Sequence, residues 1–150
     1  VSNEKLIEAA RDIIASATTC ALITLDDDRP MVRVMDPFPP ESDFIVWFGT
    51  NPKSRKVSQI KKNPNVTLYY LEKDASGYVV IHGIAQLVND QKEKEKRWKN
   101  EWDAFYPNKS ESYLLIKVSP ISMEVISYKH GIVGDSLTWQ PPFVVFDSKN

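Results

Sequence analysis

A chain of 150 residues with a formal net charge of −1 suits one domain and has no global field to attract a nucleic acid or an anionic membrane. A single cysteine, Cys20, excludes an internal disulfide and a cysteine-built zinc site, and its apolar surroundings suit a small buried hydrophobe. No apolar run approaches the ~20 residues of a membrane span, and the acidic, amphipathic start is unlike a signal peptide. The chain therefore reads as one soluble, cytoplasmic domain over 1–150, without a membrane or nucleic-acid partner.

Residues 4–17 read as a helix, with Leu6, Ile7, Ala10, Ile13, Ile14 and Ala17 along one face and Ser2 or Asn3 as cap. Residues 19–25 and 31–36 read as two strands joined by the turn Asp26-Asp27-Asp28-Arg29-Pro30. The three acids lack the alternate spacing of a calcium loop, so no metal site is expected there. Alternation on the second strand puts Met31, Arg33 and Met35 on one face and Val32 and Val34 on the other. An arginine between two methionines is costly to bury alone, so Arg33 calls for a carboxylate partner or a bound anion.

After a proline-rich loop, the apolar run 44–48 predicts a strand buried on both faces. Gly49-Thr50-Asn51-Pro52 breaks it and starts a helix, with Thr50 or Asn51 as N-cap and Pro52 in the first helical position. Val57 and Ile60 give this helix its apolar side, and Asn63-Pro64 stops it. Its first turn is electrostatically odd. Lys53, Arg55 and Lys56 crowd an end where the helix dipole disfavours cations by roughly 0.3–1 kcal/mol each when exposed. Either this is a solvated basic helix start, or an anion sits among the free N–H groups, the Ser54 hydroxyl and the cations.

Farther along, 66–71 reads as a strand, 72–77 as a turn and 78–88 as a long strand with Gly83 marking a bulge or a close backbone approach. Asn89 or Asp90 caps a helix over 90–105 whose Trp98, Trp102 and Phe105 stripe suits packing, and Pro107 ends it. Strands over 113–118 and 121–128 are separated by Ser119-Pro120. The tail 129–150 is irregular apart from a short strand at 143–146. About six closely spaced strands with a few connecting helices predict a mainly β fold, a closed or partly closed antiparallel barrel. His82, His130 and Cys20 show no nucleophile–base spacing, so no catalytic side chain is assigned. An oligonucleotide platform built from Trp47, Tyr69, Tyr70 and Tyr78 competes with an anion site, against the near-neutral charge.

Three pieces together resemble the pyridoxamine 5′-phosphate oxidase-like, FMN-binding split-barrel superfamily. They are Arg33-Val34-Met35, the stretch Phe48-Gly49-Thr50-Asn51 continuing to Ser54-Arg55-Lys56, and Ile81-His82-Gly83. Within it the chain looks most like the general stress protein 26 group, with the order of elements matching over roughly 4–128. The resemblance implies a six-stranded antiparallel split barrel and a homodimer with one FMN in each cleft between subunits. It implies that Ser54, Arg55 and Lys56 hold the FMN phosphate, that Arg33, Val34 and Met35 line the ring and ribityl chain, and that Phe48 and Thr50 contact the flavin.

The resemblance also has gaps. Where the vitamin B6 oxidases carry Gln-Val-Arg-Val-Glu-Gly, this chain has Tyr78-Val79-Val80-Ile81-His82-Gly83. The arginine that those enzymes place near the C-terminus has no counterpart after Arg97. Arg97 itself is expected on the charged, solvated side of its helix. The expectation is thus an FMN-dependent oxidoreductase of the general stress protein type acting with an unknown small-molecule substrate or reductant, and not a vitamin B6 phosphate oxidase. The alternative is a non-catalytic flavin-binding or stress-response protein.

Overall fold

The computed structural model describes residues 1–99 and 113–147. Helix α1 (Asn3–Ala17) is capped by Ser2, whose hydroxyl accepts the N–H of Lys5, and it buries Leu6, Ala9, Ala10, Ile13 and Ile14. That apolar stripe, at helical spacing, is what docks it on the sheet. Strands β1 (Cys20–Asp26) and β2 (Arg29–Met35) form a hairpin in which Asp27 takes a positive φ of 54°, tolerated by aspartate in tight turns. Register pairs Arg33 with Leu22 and Met35 with Cys20, so the expected alternation holds.

Strand β3 comprises Val46–Thr50, two residues later than the apolar run suggests. Phe44 adopts a left-handed φ of 63° and Ile45 donates its N–H to Asp43 Oδ1, so the chain turns before it can pair. Phe44 is nevertheless buried, under the Arg11 guanidinium and against Phe146. Helix α2 (Arg55–Lys62) is followed by β4 (Asn65–Leu71) and β5 (Gly77–Val88). Helix α3 (Gln91–Lys96), capped by Asp90, is shorter than the expected 90–105; Trp98 packs edge-on to Tyr113 at 5.2 Å, while Trp102, Phe105 and Pro107 lie outside the described residues.

The two strands expected on either side of Ser119-Pro120 are one, β6 (Leu114–Ser127). A proline breaks a ladder only where its N–H is needed. Here Pro120 faces Gly83, where the register with β5 shifts, and a Cβ at Gly83 would come within 2.7 Å of the Ser119 carbonyl oxygen. Glycine and proline meet at one irregularity of the ladder. A last short strand, β7 (Phe143–Val145), pairs with β6.

All seven strands form one antiparallel sheet in the order β2-β1-β4-β5-β6-β3, with β7 beside β6. The face toward α1 holds the core, including Leu22, Phe48, Leu68, Ile81 and Met123, all completely buried. The sheet curls without closing. Among the described residues β2 and β3 do not pair, and α2 bridges these two free ends. Lys56 donates to Thr50 at the end of β3, while Gln59 accepts from Thr24 on β1 and Arg33 on β2.

Candidate anion-binding site

The entry to α2 departs from the cap expected at Thr50 or Asn51. Asn51 instead organises a turn, its side chain accepting the Lys53 N–H at 2.8 Å and its carbonyl accepting the Ser54 N–H at 3.0 Å. Pro52 lies within this turn, outside the helix. Ser54 occupies the N-cap with extended backbone, but its side chain makes no capping bond, and the first turn has no acid. Arg55 and Lys56 therefore become the first two helical residues, directly at the positive end of the dipole. The Ser54 hydroxyl lies 3.4 Å from Thr50 Oγ1, which also accepts from Lys56 Nζ at 3.0 Å.

Arg33 arrives from the other free edge of the sheet. Its Nη1 donates to the Leu22 carbonyl at 3.1 Å, Thr24 Oγ1 at 2.8 Å and the Met31 carbonyl at 3.1 Å; its Nη2 donates to Gln59 Oε1 at 3.0 Å. Every acceptor is neutral. Among the described residues neither Arg33, Arg55 nor Lys56 has a carboxylate partner. Burial first, and the Arg55 charge second, lower the Arg33 pKa; burial and then the Arg33 charge lower that of Lys56. The cations thus feel one another, and the fold provides nothing to offset them.

Of the residues singled out in the sequence, the structure gathers Arg33, Thr50, Ser54, Arg55 and Lys56. Val34 does not join them: it points to the outer face of the edge strand β2, 73% exposed. Met35 packs partly against the core. Phe48 is sealed in the core with no exposed surface, so it supports the floor of β3 and offers no contact surface to a ligand of this subunit. Two residues were missed, Thr24 and Gln59, both buried and both bonded to Arg33. The signal was a glutamine between Val57 and Ile60 on the inward side of a short helix, where a polar side chain needs a partner.

The competing oligonucleotide platform does not form. Trp47 and Tyr70 are buried, and only Tyr69 and Tyr78 stack near the surface, at 5.6 Å. Arg97, expected in solvent, lies over the Trp47 ring at 4.0 Å instead. No cluster of His, Cys, Asp and Glu suited to a metal ion occurs among the described residues. No helix of these residues is long and apolar enough to cross a membrane.

A family model described as pyridoxamine 5′-phosphate oxidase like matches residues 5–137. The chain belongs to this family. Crystal structures of similar proteins share its fold. General stress protein 26 from Bacillus anthracis is 26% identical, covering 95% of this chain and 97% of its own, with a TM-score of 0.70. A protein related to general stress protein 26 from Clostridium acetobutylicum has a TM-score of 0.72 at 19% identity, over 85% of this chain and 92% of its own. A pyridoxamine 5′-phosphate oxidase-related, FMN-binding protein from Nostoc punctiforme has a TM-score of 0.68 at 12% identity, over 97% of this chain and 96% of its own. No curated protein matches the chain in sequence. The fold of this pyridoxamine 5′-phosphate oxidase-like chain is accordingly the split barrel, and the split is the gap that α2 bridges.

Proposed function

We propose that this chain is an FMN-binding split-barrel protein of the general stress protein type that carries out flavin oxidation–reduction as a homodimer. The observation that carries the reading is a set of three cations with no carboxylate partner among the described residues: Lys56 on Thr50, Arg55 beside the Ser54 cap, and Arg33 bonded to Gln59 of the same helix. This donor set suits a phosphate monoester: cationic and hydroxyl donors, a helix start without a side-chain cap and, among the described residues, no competing carboxylate. Ser54, Arg55 and Lys56 would hold the phosphate of FMN, with Thr50 fixing Lys56 and Arg33 closing the site from β2. Val34, Met35 and Phe48 would take the ring side, Val34 from the exposed outer face and Phe48 as buried support for β3. When bound, the flavin supplies the redox chemistry, and the chain contributes binding, orientation and charge.

The dimer is proposed from the outer face of the sheet. Val32, Val34, Ile84, Ile121, Phe143 and Val145 are exposed there, while α1 packs on the opposite, buried side. An apolar face of this kind marks an interaction surface, and a second copy would enclose the flavin ring that one open barrel leaves in solvent. A two-fold dimer should bury well over ~1,000 Å². Oxidation of pyridoxamine 5′-phosphate is not proposed. That substrate carries its own phosphate and needs a second anion grip, and the remaining arginines lie elsewhere: Arg29 is exposed at the β1–β2 turn, and the other two are engaged. Arg11 donates to the Glu41 and Ser42 carbonyls, and Arg97 is held over Trp47.

The test is the absorption spectrum of the purified protein before and after adding FMN, with sedimentation of the same sample. A bound-flavin spectrum on a dimer, with negligible hydrogen peroxide release from pyridoxamine 5′-phosphate, is the expected result. A protein that leaves FMN free in solution would overturn the reading. Tight FMN binding by a monomer would remove the interface.

A further inference from the structure

Gln59 and Thr24 form with Arg33 a closed triangle. Thr24 Oγ1 donates to Gln59 Oε1 at 2.6 Å, Arg33 Nη2 donates to the same Oε1 at 3.0 Å, and Arg33 Nη1 donates to Thr24 Oγ1 at 2.8 Å. Thr24 is completely buried and Gln59 nearly so, so each is committed to this contact and to nothing in solvent. The three residues come from β1, β2 and α2, and the triangle ties the free edge of the sheet to the helix whose first residues are Arg55 and Lys56.

The chemistry of the acceptors is the informative part. An arginine half-buried in a fold, as Arg33 is, is ordinarily anchored by a carboxylate, which fixes its plane but consumes its charge. Here the same directional anchoring comes from an amide oxygen, a hydroxyl and two carbonyls, all neutral. The guanidinium is held in one orientation with its full positive charge left over. An aspartate or glutamate in place of Gln59 would be more stabilising for the pair taken alone, and the chain does not use one.

We propose that Gln59 and Thr24 are positioning residues that hold Arg33 fixed but un-neutralised, and so set the preference of the site for a phosphorylated flavin over its unphosphorylated parent. This inference rests on the FMN reading above and adds the device by which the phosphate is selected. Both residues act through Arg33 and touch no ligand.

Two near-isosteric variants test it in the full-length chain: Gln59→Glu, which supplies a carboxylate 3.0 Å from Nη2, and Gln59→Met, which keeps the volume and removes the acceptor. Affinities for FMN and riboflavin are measured side by side, with melting temperature as a check on folding. Gln59→Glu should weaken FMN ~10- to 100-fold, the loss of one charge-assisted contact, and leave riboflavin within about twofold. Gln59→Met should weaken FMN several-fold, again sparing riboflavin. Thr24→Val gives the same direction should either glutamine variant fail to fold. A merely structural role would weaken both flavins alike, and that result, or unchanged FMN affinity in all three variants, overturns the inference while wild-type FMN binding stands. Absence of FMN binding by the wild-type protein would instead remove the reading on which it rests, and the inference with it.

Discussion

Along β3, the surroundings of Trp47 and of Thr50 treat their cations in opposite ways. Beside Trp47, Arg97 lies over the indole at 4.0 Å and is bracketed by Glu93 at 3.2 Å and Glu41 at 3.8 Å, while Glu41 also accepts the indole N–H at 2.6 Å. Beside Thr50, Arg33 and Lys56 have only hydroxyl, amide and carbonyl acceptors, and Arg55 stands exposed next to them. The first cluster is complete as it stands: charge, aromatic face and hydrogen bonds are all matched. The second is unmatched: burial and then a neighbouring cation lower the pKa of Arg33 and of Lys56, and Arg55 and Lys56 oppose the helix dipole. A fold selected for stability alone pairs its half-buried cations, as this one does three residues away. In the proposed reading, the unmatched set is the one that a phosphate completes.

The contrast breaks most visibly through binding. Arg55→Ala and Lys56→Ala should each weaken FMN ~10- to 100-fold, about 1.5–3 kcal/mol for a charge-assisted contact, with riboflavin little changed. Fluorescence titration with the two flavins checks this, and equal weakening of both would show that the cations do not read phosphate. The paired cluster should behave in the opposite sense. Arg97→Ala removes a stacked, ion-paired side chain and should cost about 1–2 kcal/mol of stability by denaturant unfolding, leaving the ratio of FMN to riboflavin affinity unchanged. The smallest effect is also the most pointed. Arg55→Glu places an acid in the exposed first turn of α2 and should stabilise the ligand-free protein by about 0.3–1 kcal/mol while abolishing FMN preference. A ligand-free protein made less stable by this change would mean that Arg55 already has a stabilising partner.

Much of the fold was legible because periodicity was strong: the amphipathic α1, the β1–β2 hairpin, and β5 with its glycine all follow from pattern and turn chemistry. The errors share a cause. Thr50-Asn51-Pro52 has cap chemistry, yet Asn51 spends its side chain on a turn and delays the helix to Arg55. Ser119-Pro120 has breaker chemistry, yet Pro120 falls at the one register shift opposite Gly83 and β6 runs through it. In both places local residue preference was overridden by where the sheet needed the chain to go. For the site, charge was legible and support was not. Three cations at a helix start stand out in any sequence, whereas Thr24 and Gln59 gain meaning only once the sheet brings β1 and α2 to the same arginine.

If the unmatched cations exist for a phosphate, wild-type protein suffices to show it. Titration calorimetry with FMN and with riboflavin, at the same pH and ionic strength, isolates the phosphate as the only difference between ligands. FMN should bind at least ~10-fold more tightly than riboflavin, with a preference that shrinks as salt is raised. Equal affinity for the two flavins, independent of salt, would contradict it.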